Sequence, residues 1–285
     1  MTGIMRFGLV ALAVLMTCQR ANAQSSYQTG QNTSPAYEGW EQNEDGSFNL
    51  VFGYMNRNWL EEMDVPIGPG NNISPGPMDQ GQPTHLLPRR NRYVFKVRVP
   101  PDFGDQELIW TLTTKGKTEA AYGTLRLDYK LDYMVIMSET GSIGAGFTTE
   151  ASRANTPPTI TLVGDPVRRV GVGQPVTLVA RITDDDLPRV GAIRTPAESD
   201  SIPTLPAAAL RPPGRVTVQK VNGLHLSWFV FRGESPAKFD PPQIKTWEDT
   251  RAGANSPWAP LFRRPPIPED GEWTVRVTFD QPGTY

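Results

Sequence analysis

Apolar and polar residues alternate along several short stretches of the chain, and this two-residue period predicts antiparallel β-strands. In the stretch 272–279, Trp273, Val275, Val277 and Phe279 alternate with polar side chains. The same period occurs in the stretches 48–54, 93–99, 108–113, 121–127, 159–163, 176–182, 215–218 and 224–231. Turns rich in Gly, Pro, Asn and Asp separate these stretches and favour antiparallel neighbours. The pattern predicts an all-β protein made of two β-sandwich domains in tandem.

Breaks in the alternation predict the domain boundaries. Residues 37–140 form a first β-sandwich domain, in which residues 65–88 show no strand or helix period and are expected to be a long loop. Residues 141–158 lose the apolar pattern and predict a linker. Residues 159–285 form the second domain. The apolar stretch 131–137 is compatible with a buried strand or with a short helix.

The N-terminus has the features of a secretory signal peptide at residues 1–23. Arg6 precedes the apolar run 7–16, and Ala21-Asn22-Ala23 is a small-x-small cleavage site. The run is too short to cross a membrane, so no transmembrane segment is expected. Lipidation of Cys18 is the alternative to cleavage after Ala23. We expect an exported protein, periplasmic, on the outer surface or extracellular, with a disordered polar leader at residues 24–36.

Composition narrows the partners that the chain is expected to have. Lys and Arg number 28 against 30 Asp and Glu, which gives a formal net charge of −2 and no basic excess for nucleic acid binding. Cys18 is the only cysteine, so cleavage after Ala23 leaves no thiol chemistry. The 26 Gly and 28 Pro occur beside 7 Trp, a mixture typical of a turn-rich β protein.

The second half of the chain carries five short motifs of one kind of domain. They are Pro157-Pro158, Gly173-Gln174-Pro175-Val176-Thr177-Leu178, Asp184-Asp185-Asp186-Leu187-Pro188, Ser227-Trp228 and Phe279-Asp280-Gln281-Pro282-Gly283-Thr284-Tyr285. Together they resemble the PKD-like (polycystic-kidney-disease-type) domains of the immunoglobulin-like class, over residues 156–285. The resemblance implies that Trp228 packs in the core and that Tyr285 caps a corner between two strands. It also implies that the final strand or strands of the sandwich are missing from this chain.

One motif departs from the family pattern. PKD domains typically carry a Trp-Asp-Phe-Gly-Asp-Gly run, whereas residues 228–233 of this chain keep only its first and last residues, Trp228 and Gly233. The departure bears on which subfamily the domain resembles and does not change the expectation of a β-sandwich. Residues 37–137 carry no comparable resemblance.

Residues suited to acid–base chemistry are few. The two histidines, His85 and His225, fall in different domains, so a zinc site or a Ser-His-Asp triad lacks its residues. His85 with Asp64 or Asp79 is one candidate pair, and the alternative is a loop histidine held by hydrogen bonds. Adjacent side chains usually point apart, so Glu61 and Glu62 are not expected to act together as a pair of acids. They are expected to be solvated charges.

The long loop and its flanks offer the residues of a candidate ligand surface. A tryptophan beside amides suits a sugar, and arginines suit a carboxylate or phosphate. The candidate residues are Asn56, Trp59, Asn72, His85, Arg89 and Arg90. The alternative is that Trp59 anchors the loop to its own domain while the arginines form exposed ion pairs.

A run of three carboxylates is the one candidate metal site. Asp184, Asp185 and Asp186 follow a predicted strand, where their oxygen atoms suit calcium. The alternative is a polar turn whose side chains bond to the backbone. No other cofactor is expected.

These observations predict a non-enzymatic binding, adhesion or spacer module of a bacterial cell-surface or periplasmic protein. Its candidate partners are a glycan or another surface protein. The alternative is an accessory region, with carbohydrate binding as a candidate role, of a secreted hydrolase whose catalytic domain is not in this chain.

Overall fold

The computed structural model describes residues 27–139, 150, 154–187, 224–233, 236–243, 245 and 266–285. The predicted signal peptide and most of the predicted linker lie outside the described residues. The predicted strand at 215–218 also lies outside them.

Residues 27–139 hold eight strands arranged in antiparallel sheets. The strands are β1 (Thr33–Gln42), β2 (Phe48–Asn56), β3 (Met63–Asp64), β4 (Asn71–Ser74), β5 (His85–Leu86), β6 (Arg89–Val99), β7 (Leu108–Thr114) and β8 (Lys117–Gly123). One sheet has the order β1-β2-β6 and another the order β4-β7-β8, while β3 pairs with β5 in a small ribbon. The all-β prediction is confirmed.

The two larger sheets enclose one apolar core. Leu50, Phe52 and Tyr54 of β2 are buried, as their alternation predicts. Three rings join the sheets: Trp110 lies edge-on to Phe95 with centroids 5.0 Å apart, and edge-on to Phe52 at 6.2 Å. The fully buried indole N–H of Trp110 donates to Asn71 Oδ1 at 2.9 Å, so burying the ring leaves no unpaired donor.

The first domain begins earlier and is more regular than the pattern predicts. The disordered leader predicted for 24–36 is wrong from Thr33 onward, because β1 pairs there with β2 and Thr33 is fully buried. The prediction that residues 65–88 lack strands is also wrong, since β4 and β5 lie within that segment. Both strands are too short to produce a readable period.

Strand pairing also differs at one turn. The short turn 100–105 does not make β6 and β7 partners, because β6 pairs with β2 and β7 pairs with β4. The chain therefore crosses between sheets at this turn. The tight turn Lys115-Gly116, with left-handed φ values of 51° and 75°, does join the antiparallel partners β7 and β8.

The ambiguous apolar stretch 131–137 becomes helical. A 3₁₀ turn at Leu127–Tyr129 precedes the helix α1 (Tyr133–Glu139). The Asp132 carboxylate accepts a hydrogen bond from the Val135 N–H at 2.8 Å and caps the first turn of α1.

The described part of the second domain forms one four-stranded antiparallel sheet. Its order is β11-β12-β10-β9, from β9 (Thr159–Leu162), β10 (Pro175–Thr183), β11 (Ala237–Asp240) and β12 (Glu272–Phe279). Ala180, Trp273, Val275 and Val277 are buried, as the alternation of β10 and β12 predicts. The strand predicted at 224–231 is not present, and the end of this segment bonds to the first domain instead.

Within the described ranges, no helix has the length and apolar character needed to cross a lipid bilayer.

The ring cluster of the first domain gives a stability prediction. Replacing the fully buried Trp110 by Ala removes the inter-sheet contact and leaves Asn71 Oδ1 without its donor, so the free energy of unfolding should fall by about 3–5 kcal/mol. Urea denaturation followed by circular dichroism measures this. Tyr122→Ala, at a site on β8 that is 54% exposed, is the matched control and should change stability by less than about 1 kcal/mol. Equal losses in the two variants would contradict this description of the core.

Candidate functional site

Four fully buried amide side chains hold the irregular segments of the first domain. Asn56 Nδ2 donates to the Glu61 carbonyl at 2.7 Å, and Asn58 Nδ2 donates to the Gln31 carbonyl at 2.8 Å. Asn71 Nδ2 reaches the Val65 and Pro83 carbonyls at 2.9 and 2.8 Å, and Gln82 Nε2 reaches the Met78 carbonyl at 2.6 Å. All four amides are at 0% exposure, so they supply the bonds that a strand ladder would otherwise provide.

The turn that carries Trp59 is fixed from both sides. Asn56 Oδ1 accepts from the backbone and side-chain N–H groups of Asn58, at 3.1 and 2.9 Å. The Trp59 N–H donates to the Tyr27 carbonyl at 3.1 Å, and the Leu60 N–H donates to the Gln28 carbonyl at 3.0 Å. Asn56 is therefore a scaffold residue rather than a ligand contact, contrary to the sequence prediction.

Trp59 and Arg89 come together, as the predicted ligand surface requires. Arg89 Cζ lies 4.1 Å from the centroid of the Trp59 ring, a cation–π contact, and both side chains are half-buried. The Arg89 backbone is left-handed, with φ of 66°. Burial lowers the pKa of Arg89.

Two other predicted surface residues have internal partners. Arg90 donates to Glu38 Oε2 at 2.7 Å and to the Tyr54 carbonyl at 3.2 Å, so it ties β6 to β1 and β2. Gly53 lies against the Arg90–Glu38 pair and leaves no room for a side chain. A Cβ at this position would stand 2.1 Å from Glu38 Oε1. Asn72 Nδ2 donates to the Pro69 carbonyl at 2.9 Å, within its own turn.

His85 is held between two carboxylates. Its ring is 5% exposed, with Nδ1 2.6 Å from Asp64 Oδ1 and Nε2 2.8 Å from Glu62 Oε2. Asp64 is directly opposite His85 in the β3–β5 ribbon. Burial on its own would lower the pKa of His85, but the hydrogen bonds and charges of Glu62 and Asp64 raise it above 6.5.

This arrangement favours a structural role for His85. An imidazolium donates from both ring nitrogens, and each nitrogen here has its own carboxylate acceptor. Neither nitrogen is left to take a proton from a substrate. Of the two acids predicted as partners, Asp64 is confirmed, whereas Asp79 binds Arg232 instead. Glu62 is not merely a solvated charge, and Glu61 accepts from the Gly30 N–H at 2.6 Å and pairs with Lys115.

The aspartate run of the second domain forms a polar turn. Asp185 Oδ2 accepts from the N–H and the hydroxyl of Thr156, each at 2.7 Å, and these bonds hold the pKa of Asp185 below its usual value. Asp184 Oδ2 accepts from the Asp186 N–H at 3.2 Å. Among the described residues, no three His, Cys, Asp or Glu side chains are grouped to hold a metal ion. The three aspartates predicted to bind calcium are therefore not brought together as a group of ligands in the described residues.

A contact between distant parts of the chain lies beside His85. We call it the interdomain seam, formed by Asp79, Gln82, Thr84 and His85 of the first domain with residues 231–233. The Phe231 carbonyl accepts from the N–H groups of Thr84 and His85, at 3.2 and 3.3 Å, and the Phe231 ring packs on the first core. Arg232 forks onto Asp79 at 2.7 and 3.0 Å and donates to the Gln82 carbonyl at 3.0 Å.

Gly233 links the interdomain seam to the last residues of the chain. Its N–H donates to Thr84 Oγ1 at 3.0 Å. A Cβ on Gly233, where φ is 145°, would stand 2.4 Å from the Tyr285 ring. Tyr285 stacks on Phe279 with centroids 4.2 Å apart, and its hydroxyl donates to the Gln281 carbonyl at 3.2 Å. The bond from hydroxyl to carbonyl closes the corner expected at Tyr285.

Sequence reasoning missed several residues of this region. Gln82 and Asn58 are buried scaffold amides, but they stand in polar stretches that predict exposure. Arg232 and Asp79 are 153 positions apart, and no local pattern links them. His225 and Trp228 are half-buried in a segment without strand pairing, so the strand predicted at 224–231 does not position them.

Comparison of the chain with protein-family models, with curated proteins and with solved structures gives no match.

The contacts of His85 with Glu62 and Asp64 predict that the stability of the protein depends on pH. Because its pKa is raised in the folded state, the stabilisation is fully present below about pH 6.5 and is lost as the pH rises through the higher folded-state value. The difference in unfolding free energy between the wild type and His85→Gln should therefore shrink from about pH 6 to pH 9. Urea titrations at several pH values measure it.

Glu62→Gln serves as the companion variant, because it removes one of the two charges that hold the proton. This variant should show a weaker pH dependence than the wild type over the same range. If the difference in unfolding free energy between the wild type and His85→Gln does not change with pH, the proton shared between His85 and the two carboxylates does not stabilise the fold.

Proposed function

We propose that the chain is part of an exported, non-enzymatic binding protein, in which the first domain carries the ligand surface and the second domain is a spacer. The observation that carries this proposal is the interdomain seam. It holds the first domain with one bidentate ion pair, several backbone hydrogen bonds and the packed Phe231 ring. Domains of one chain move relative to each other by default, and the contacts of the seam oppose such motion, which suits a spacer that presents a binding surface.

The second domain supports the spacer role through its construction. Thr156, near the end of the predicted linker, is bonded twice to Asp185. Arg232 and Gly233 reach the first domain, and Gly233 also contacts Tyr285. The second domain is therefore held by contacts at three places: near the end of the predicted linker, at the interdomain seam and at the corner formed by Tyr285. The resemblance of residues 156–285 to PKD-like domains, which are common spacers, agrees with this arrangement.

The seam can be tested by weakening it. Arg232→Ala combined with Thr84→Val removes the ion pair and the Thr84–Gly233 bond, so the two domains should sample more orientations. Small-angle X-ray scattering should show a larger radius of gyration and a broader distance distribution. The matched control is Arg276→Ala, because Arg276 pairs with Asp240 inside the second-domain sheet. An unchanged scattering profile in the double variant would contradict a seam that orients the domains.

Export and binding need their own experiment. Expression of the full chain in a bacterium should yield a processed protein beginning at Gln24, identified by intact mass. The processed protein is then applied to a panel of immobilised polysaccharides. Retention without release of reducing ends is the expected result. Release of reducing ends, or a chain that stays unprocessed in the cytoplasm, would contradict the proposed function.

A further inference from the structure

Arg89 differs from the other cations near the Trp59 turn, because it has no carboxylate partner among the residues that the structure describes. Lys115 pairs with Glu61, Arg90 pairs with Glu38, and Arg57 lies 3.9 Å from Glu119 Oε1. No carboxylate oxygen of the described residues lies within 4.0 Å of the Arg89 guanidinium, whose one ring contact is with Trp59. Burial is the single cause that lowers the pKa of Arg89, which agrees with a half-buried cation without a nearby acid.

The backbone holds Arg89 in this position at an energetic cost. A left-handed φ of 66° is a sparsely populated, strained conformation for a residue other than glycine. Asn91 contributes to the conformation, because its side chain donates to the carbonyls of Leu87, Pro88 and Arg89 at 3.2, 3.1 and 3.2 Å. A strained residue carrying an uncompensated cation is a feature that folding alone does not favour.

The contact between Arg89 and Trp59 suits the binding of an anion. A guanidinium that lies over an indole ring keeps its N–H groups in its own plane, where they donate to the two oxygens of a carboxylate. The tryptophan is preorganised, since the buried Asn56 and Asn58 fix its turn. Little further ordering is therefore needed when a ligand binds.

The surroundings indicate what carries the anion. Trp59 is half-buried, while its neighbour Leu60 is 59% exposed and Tyr27, whose carbonyl binds the Trp59 N–H, is 50% exposed. The site is thus an open amphipathic surface with one fixed cation. Small apolar ligands need an enclosing cavity, whereas a saccharide chain offers apolar C–H faces to aromatic rings and suits an open surface.

We propose that Trp59 and Arg89 form a binding subsite for the carboxylate of an acidic saccharide, such as a uronate unit of a polysaccharide. This inference rests on the proposed function and names the ligand class of the first domain. The Arg89 guanidinium binds the carboxylate bidentately, and the sugar ring lies along the surface of Trp59, Leu60 and Tyr27.

Isothermal titration calorimetry on the full processed chain tests the subsite, with trigalacturonate as the probe. Arg89→Gly is the decisive variant, because glycine adopts the left-handed conformation without strain and so keeps the fold while it removes the guanidinium. Its Kd should rise at least about tenfold, the usual consequence of losing a bidentate charged contact. Trp59→Ala should give a similar loss.

Arg98→Ala is the matched control. Arg98 is on the same strand, β6, but is exposed and paired with Asp45. This variant should keep the wild-type Kd. An equal loss in Arg98→Ala and Arg89→Gly would show diffuse electrostatic attraction and overturn the subsite.

Three further probes separate the ligand classes. Maltotriose, which is neutral, should not bind. Poly-L-glutamate, a carboxylate chain without sugar rings, should bind much more weakly than trigalacturonate, and equal binding would overturn the saccharide assignment. Tighter binding of sulfated dextran, lost in Arg89→Gly, would overturn the carboxylate preference.

Failure of this inference is distinguishable from failure of the proposed function. If trigalacturonate does not bind but the processed chain is retained by another polysaccharide of the panel, the subsite is wrong and the binding role survives. If the chain is unprocessed and is retained by none of them, both fail.

Discussion

Buried amide groups are the constraint on which the first domain depends. Its segments between β2 and β6 have little strand pairing, yet Met63, Ile73 and Leu86 of these segments belong to the core. Four buried side-chain amides hold these segments, because each donates to a backbone carbonyl that has no partner in a strand ladder. They are Asn56, Asn58, Asn71 and Gln82. Burying an amide without a hydrogen-bond partner is costly. Conformations of these segments that leave one of the four amides unpaired are therefore disfavoured. The Trp59 turn and the interdomain seam are both built on these segments.

The regular part of the fold was predictable and the rest was not, for a physical reason. Alternation identified β2, β6, β7, β10 and β12, because the side chains of those strands meet a core on one face. The short strands β4 and β5 carry no period, and β1 begins inside a stretch that reads as polar leader. Their positions are set by hydrogen bonds to residues far away in the sequence, such as Thr33 N–H to Thr114 Oγ1 at 2.8 Å.

The candidate site shows the same division. Trp59 and Arg89 could be chosen from residue type, and the structure places them in contact. Asn56 and Arg90 were chosen for the same reason, but the first is scaffold and the second is paired with a buried acid. Residue chemistry predicts what a side chain is able to bind. Whether that capacity is already used inside the protein depends on tertiary partners, and Glu38 and Glu62 are such partners.

The interdomain seam also has a consequence for the order of events at the ribosome. Thr84 and Gly233 are 149 positions apart. At a translation rate of about 5–20 residues per second, the first-domain side of the seam is complete roughly 7 to 30 seconds before its partner is made. During that interval the Thr84 and His85 N–H groups lack the Phe231 carbonyl that accepts their hydrogen bonds. The seam can therefore close only after every residue of the first domain has been made, so its completion depends on the late part of the chain.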